Sequence, residues 1–292
     1  AVVLQWCKMQ HFLDMRTLIF VSGITSLILF ACMFYIRRKQ KTYEGFLYWV
    51  FAALSNALGM LLLSQRDILP DFFTVIASNA LLLFSIVLIN AGLSRFSGTR
   101  PAYNFYAGSM IIFVALYLYL TYSMPSLAYR FIVFSFFQAM LCIMMIIIAR
   151  RDLPRVLRKR NYALYWFLVL CAAWPLFRAV SCFFEKEHMA DLMQAGLSHQ
   201  FTFLGSIAAY IILIIALIII NAQRVEQEML TAKDEIKTIA GLIPICAACK
   251  KIRDYQGSWS QLEAYLSKHA DLEFSHALCP ECMQKMYPEK LR

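Results

Sequence analysis

Seven runs of about 20 apolar residues, at 17–36, 45–64, 71–93, 102–121, 127–149, 162–184 and 200–221, dominate this chain. Each has the length needed to cross roughly 30 Å of hydrocarbon as a helix. In lipid every backbone N–H and C=O must pair inside its own segment, and isolated runs of this kind can satisfy that only as helices. Strand-like alternation is absent. Of the 292 residues, 61% are hydrophobic and 16% charged, against about 25% charged in a soluble domain. The expectation is an all-α membrane protein whose main partner is the lipid bilayer.

The charges between the runs give a direction. The first, third and fifth loops hold twelve basic residues (among them Arg37, Arg38, Lys39, Arg150 and Arg151) and two acidic ones, Glu44 and Asp152. The opposite side carries six of each sign, and the chain after residue 221 carries ten of each. The formal charge of +10 therefore sits in three alternate loops. By the positive-inside rule these loops face the cytoplasm, with the N-terminus outside and the C-terminus inside. The basic excess is thus topological, and nucleic acid is not an expected partner. Residues 1–16 form a poorly defined N-terminal stretch with no readable signal peptide.

Within the spans, Asn56, Asn79, Asn90 and Gln138 read first as hydrogen-bonding glue between helices. Arg178 follows Trp174-Pro175 toward the outer end of the sixth span. Two readings stand: an arginine snorkelling to the interface, or one lining an outward cavity with Asp67, Asp71, Glu185 or Glu187 and binding an anionic ligand. Cys32, Cys142, Cys171 and Cys182 read as small apolar residues.

After Asn221 the helical pattern continues to Gly241 without a break. Val225, Met229, Ala232, Ile236, Ile239 and Ile243 are spaced as an a/d seam under three heptads long. It suits two bundles paired as a homodimer, or one helix packing on its own module. The segment 222–243 is therefore expected to be a signalling helix, and 17–221 the seven-helix domain.

The tail, 244–292, holds Cys246-Ala-Ala-Cys249 and Cys279-Pro-Glu-Cys282. Two CxxC turns can aim four thiolates at one metal, and four sulfurs suit a closed tetrahedral zinc site. A segment this small gains stability from a metal that ties its ends, and a reducing cytoplasm keeps the thiols available. Zinc on Cys246, Cys249, Cys279 and Cys282 is the expected cofactor site, with His276 beside it. An iron site or a redox dithiol are the alternatives. No Walker A loop, GxSxG or HExxH motif is present, and four sulfurs leave no open position for water, so an enzyme is not expected.

The sequences Gly241-Leu-Ile-Pro-Ile-Cys-Ala-Ala-Cys-Lys-Lys-Ile-Arg-Asp, Gly257-Ser-Trp, Leu262-Glu-Ala-Tyr and Phe274-Ser-His-Ala-Leu-Cys-Pro-Glu-Cys resemble a cysteine module found at the C-termini of bacterial response regulators and sensor kinases. Asp14-Met-Arg-Thr-Leu and the spans after it look like the seven-helix sensor region that precedes diguanylate cyclase domains. No GG(D/E)EF sequence or histidine-kinase core follows here, so neither activity carries over. The resemblance implies a bacterial inner-membrane sensor whose zinc module docks a cytoplasmic kinase, response regulator or cyclase. A transporter or channel with a regulatory tail is the competing expectation.

Overall fold

A computed structural model describes residues 14–157, 162–184, 197–240, 244–253, 257–269 and 274–286. The chain divides into two units, Ala1–Glu228 and Met229–Arg292, and 81% of the described residues are helical. Among the described residues seven helices are long and apolar enough to cross a membrane.

These are α1 (Met15–Lys39), α2 (Phe46–Ser64), α3 (Ser78–Phe96), α4 (Tyr103–Tyr122), α5 (Leu127–Arg151), α7 (Tyr162–Phe184) and α8 (Leu197–Ala240). A short α6 (Leu153–Leu157) extends the fifth span after a break at Asp152. The helix starts have local causes. Asp14 caps α1 by accepting the Thr17 N–H at 3.0 Å, and the bond from the Thr17 hydroxyl, followed by that one, holds its carboxyl below the usual range. Ser126 caps α5 by accepting from the Tyr129 N–H. Arg37, Arg38 and Lys39 close the last turn of α1, where positive charge complements the exposed carbonyls.

The third span does not begin as an ordinary helix. Phe72–Ala77 is π-helical and runs directly into α3. Asn79 spans the junction, donating to the Val75 carbonyl at 2.7 Å. Asn90 likewise bonds its own helix, to the Ile86 carbonyl. Of the four amides, Asn56 and Gln138 make the contacts between helices, to Ser26 and Arg178.

Two glycines bring α2 and α3 together. Gly45, at φ +98°, lies so close that an added Cβ would sit 2.1 Å from the Gly92 carbonyl oxygen. A Cβ on Gly92 would in turn meet Trp49 Nε1 at 2.4 Å. Small residues at such crossings let backbones approach where lipid offers no hydrophobic drive to associate. Trp49 is wholly buried there, donating to the Ile89 carbonyl and packing on Phe46 and Phe96. Ile214, Leu217 and Ile220 of α8 belong to the same core. Large apolar side chains such as Val21, Ile28, Ile111, Phe136, Trp166 and Leu170 point outward. An apolar belt of this kind fits a lipid solvent and not water.

At one end of this unit α8 is tied to three loops. Asn221 donates to the Lys41 carbonyl and accepts from the Tyr43 N–H. Arg224 donates to the Phe96 carbonyl at 2.7 Å and stacks 3.9 Å from the centre of the Tyr43 ring. Gln227 donates to the Leu157 carbonyl, and Lys41 pairs with Glu228 at 2.7 Å. The three loops carrying the basic excess therefore gather around one helix.

The second unit departs from an all-helical tail. β1 (Ile252–Arg253) and β2 (Trp259–Ser260) pair antiparallel, Ile252 opposite Ser260. Helices α9 (Leu262–His269) and α10 (Pro280–Met286) follow. α9 starts at Leu262, after β2 ends at Ser260. Ile252 is fully buried, whereas Trp259, Leu262 and Phe274 are exposed. Met229 and Ala232 of the seam are exposed, and the side chains of Ile236, Ile239 and Ile243 lie outside the described residues.

Candidate functional site

Between the spans of the first unit lies a cavity of about 170 Å³. Its lining comes from α1, α2, the π-helical stretch and α3, α4, α5, α7 and α8. It occupies the end of the bundle opposite the basic loops, where α2 ends and α5 begins. Its inner limit is set by Ile89, Met145 and Leu213, all packed into or against the main core.

Arg178 is the central polar group. It is only 8% exposed, so it does not snorkel. Its Nε donates to Ser135 Oγ at 3.1 Å, and one terminal nitrogen donates to Gln138 Oε1 at 3.4 Å. The guanidinium also lies 5.4 Å from the centre of the Phe134 ring and 5.7 Å from that of Phe131. Neutral hydroxyl, amide and aromatic groups thus orient a charge that is costly to keep at this depth. Local sequence explains part of the position. Pro175 lacks the N–H that would bond the Cys171 carbonyl four residues earlier, and both Cys171 and Trp174 line the cavity. Trp174 donates to Ser206 of α8, fixing the indole edge.

Two further arginines reach the same space, Arg66 at the end of the second span and Arg130 in the first turn of α5. Tyr117 donates to the Arg130 carbonyl at 3.1 Å. In the sequence both arginines count only as charges near helix ends. Their convergence with Arg178 depends on which faces of α2, α5 and α7 meet, which no single helix specifies. Among the described residues lining the cavity there is no Asp or Glu. Asp67 pairs instead with Arg16 at 3.4 Å and is exposed, and Asp71 is exposed and outside the lining. Glu185 and Glu187 lie outside the described residues. Cys142 and Cys171 also border the cavity.

In the tail each CxxC forms its own turn. Cys246 N–H donates to the Lys251 carbonyl, and Lys250 N–H returns to the Cys246 carbonyl at 3.0 Å, with Lys250 at φ +57°. The backbone N–H groups of Cys249 and Ala248 hold the Cys246 thiol below its usual range. Cys282 N–H, 3.5 Å from Cys279 Sγ, does the same for Cys279. Such bonds favour thiolates, the form that ligates metal. The donor chemistry therefore fits zinc as two pairs. The four are not gathered: among the described residues no three His, Cys, Asp or Glu side chains stand close enough to hold a metal ion. His276 is exposed.

Comparison with family models, curated proteins and solved structures found no match to this chain. What the fold itself defines is the architecture of a multi-pass helical membrane protein.

Proposed function

We propose that this chain is a bacterial inner-membrane sensor that reports the state of its intramembrane cavity to a cytoplasmic partner. The observation that carries this reading is the double position of α8. Phe203, Ser206, Ile207 and Tyr210 of α8 form one wall of the cavity. The same unbroken helix is then clasped by three loops through Asn221, Arg224 and Gln227 and runs on to Ala240. In this reading a displacement at the wall is passed along α8 toward the tail, since packed elements shift as bodies and not by graded deformation.

The positive-inside rule places the clasped end in the cytoplasm and the cavity on the outer side. The tail then lies where thiols stay reduced. In this reading it closes around zinc on Cys246, Cys249, Cys279 and Cys282 and docks a kinase, response regulator or cyclase, with no catalysis of its own. The a/d seam pairs two copies so that a rotation of α8 becomes a change between them.

A reporter fused after residue 292, with cysteine cross-linking along 225–239 in native membranes, tests this reading. We expect a cytoplasmic reporter and cross-links on the seam that weaken with Ile236→Asp and not with Lys237→Asp. A periplasmic reporter, or no cross-linking anywhere along the segment, would contradict it. Solute flux through the protein in proteoliposomes would favour a transporter instead.

A further inference from the structure

A second concavity lies on the outward face of the first unit, where α2 and α3 run side by side. We propose that it binds one anionic phospholipid, with an acyl chain in the groove and the phosphate held by Arg95 beside Tyr48 and Tyr103. The site stands on its own residues and not on the sensor reading; only its place in the cytoplasmic leaflet follows from the orientation of the basic loops.

Shape gives the chain its place. The groove has a volume of about 550 Å³, and Leu47, Phe51 and Leu58 of α2 with Phe84 of α3 stand exposed along it. Ser55 is the polar group of its floor, and its hydroxyl is spent on the Leu81 carbonyl at 2.8 Å. What remains rewards an apolar occupant. From Tyr48, in the first turn of α2, to Leu58 the groove runs about 15 Å at 1.5 Å per residue. That is half of the roughly 30 Å hydrocarbon core, the depth of one leaflet. The lining ends at Leu58 although α2 continues to Ser64. A spanning helix from a second copy would need the full length; an acyl chain needs only this half.

Charge selects the head group. Lipid tails are as apolar as these walls, so filling the groove gives little preference among lipids. The preference comes from the polar end. There the Tyr48 and Tyr103 hydroxyls lie 3.0 Å apart, and the Arg95 side chain engages both. Tyr48 itself lines the groove, so the pair holds the arginine at its mouth. Arg95 sits in the last turn of α3 and is exposed. A guanidinium carries five N–H donors in a planar fork, so two hydroxyl partners leave it an edge for phosphate oxygens. Glu44 is its weakest charged or polar neighbour; it is exposed, where salt screens its charge. A basic group at this level attracts anionic lipid, and the groove turns that general attraction into a site.

Native mass spectrometry of the full chain, released from micelles holding equal amounts of phosphatidylglycerol and phosphatidylcholine with matched acyl chains, tests the proposal. Phosphatidylglycerol should be retained about fivefold over phosphatidylcholine, the effect of one arginine near a membrane surface. Arg95→Gln should remove that preference and Arg95→Lys keep part of it. Arg150→Gln takes the same charge from the last turn of α5 and should leave the preference intact. Leu54→Trp fills the groove and should lower the retention of both lipids; if it does not fold, the arginine comparison still decides. Equal retention of the two lipids by the unaltered protein would overturn the proposal. So would an equal loss of preference in Arg95→Gln and Arg150→Gln, which would mean diffuse surface charge, or displacement by glycerol phosphate as effective as by phosphatidylglycerol, which would mean an anion site without a chain. Cross-links between copies through Leu58→Cys in native membranes would give the groove to a second copy and overturn it as well.

Discussion

Asn221 bonds the same loop twice: its side-chain nitrogen donates to the Lys41 carbonyl at 3.3 Å and its oxygen accepts from the Tyr43 N–H at 3.4 Å. The amide is 4% exposed, so neither contact can be replaced freely by water. This one side chain fastens α8 to the α1–α2 loop at the point where the helix leaves the core. Asn221→Ala should destabilise the first unit by about 1–3 kcal/mol, the loss of two part-buried hydrogen bonds at about 0.5–1.5 kcal/mol each. Lys41→Ala removes an exposed ion pair with Glu228, for which about 0–1 kcal/mol is expected, and a contact of its ammonium 5.7 Å from the centre of the Tyr43 ring. Thermal unfolding of both variants in the same detergent checks the ranking; equal shifts would mean that the loop is not held through Asn221.

The α2–α3 crossing offers a sharper contrast. Gly45→Ala puts a methyl 2.1 Å from a backbone oxygen at a residue with φ +98°, and neither the oxygen nor the backbone can yield cheaply. The expected cost exceeds about 4 kcal/mol, among the largest for a single substitution. Gly108→Ala meets nothing within 4 Å and should shift stability by no more than about 0.5 kcal/mol. The folded fraction after membrane extraction distinguishes them, and a well-folded Gly45→Ala protein would refute the close crossing.

The tail is tested by its metal. Protein purified anaerobically should hold one zinc per chain, lost on Cys279→Ser and retained on Cys142→Ser. Since folding and metal binding are coupled in such small segments, chelation should also raise amide exchange across β1 and β2. Zinc that survives Cys279→Ser, or iron in its place, would set aside the four-cysteine site and leave two independent CxxC turns.

Much of this molecule is legible in one dimension. The spans follow from apolar length alone, because lipid leaves the backbone no alternative to a helix. The course of α8 past Asn221 is readable from the absence of any Gly or Pro before Gly241. The π-helical opening at Phe72–Ala77 is not, since nothing in its apolar sequence sets it apart from an ordinary helix start. Arg178 is conspicuous in the sequence, yet its partners Ser135 and Gln138 lie 43 and 40 residues away, and Asp67 and Asp71 are nearer in the chain to Arg66 than to any role in the cavity. In the tail Ile252 is buried and stands opposite Ser260 across two strands of two residues each, too short to leave a period in the sequence.

The central claim is that α8 couples the cavity to the tail. Ser206 lines the cavity and donates to the Thr202 carbonyl of its own helix, so Ser206→Phe fills the space from α8 itself and imitates occupancy. Amide hydrogen exchange of the full chain in nanodiscs, followed along 222–240 with and without this substitution, tests the coupling most directly. The account predicts altered protection around Asn221, Arg224 and Gln227, extending beyond Glu228 toward Ala240. Altered exchange confined to the cavity walls, with the segment from Asn221 onward unchanged, would contradict it.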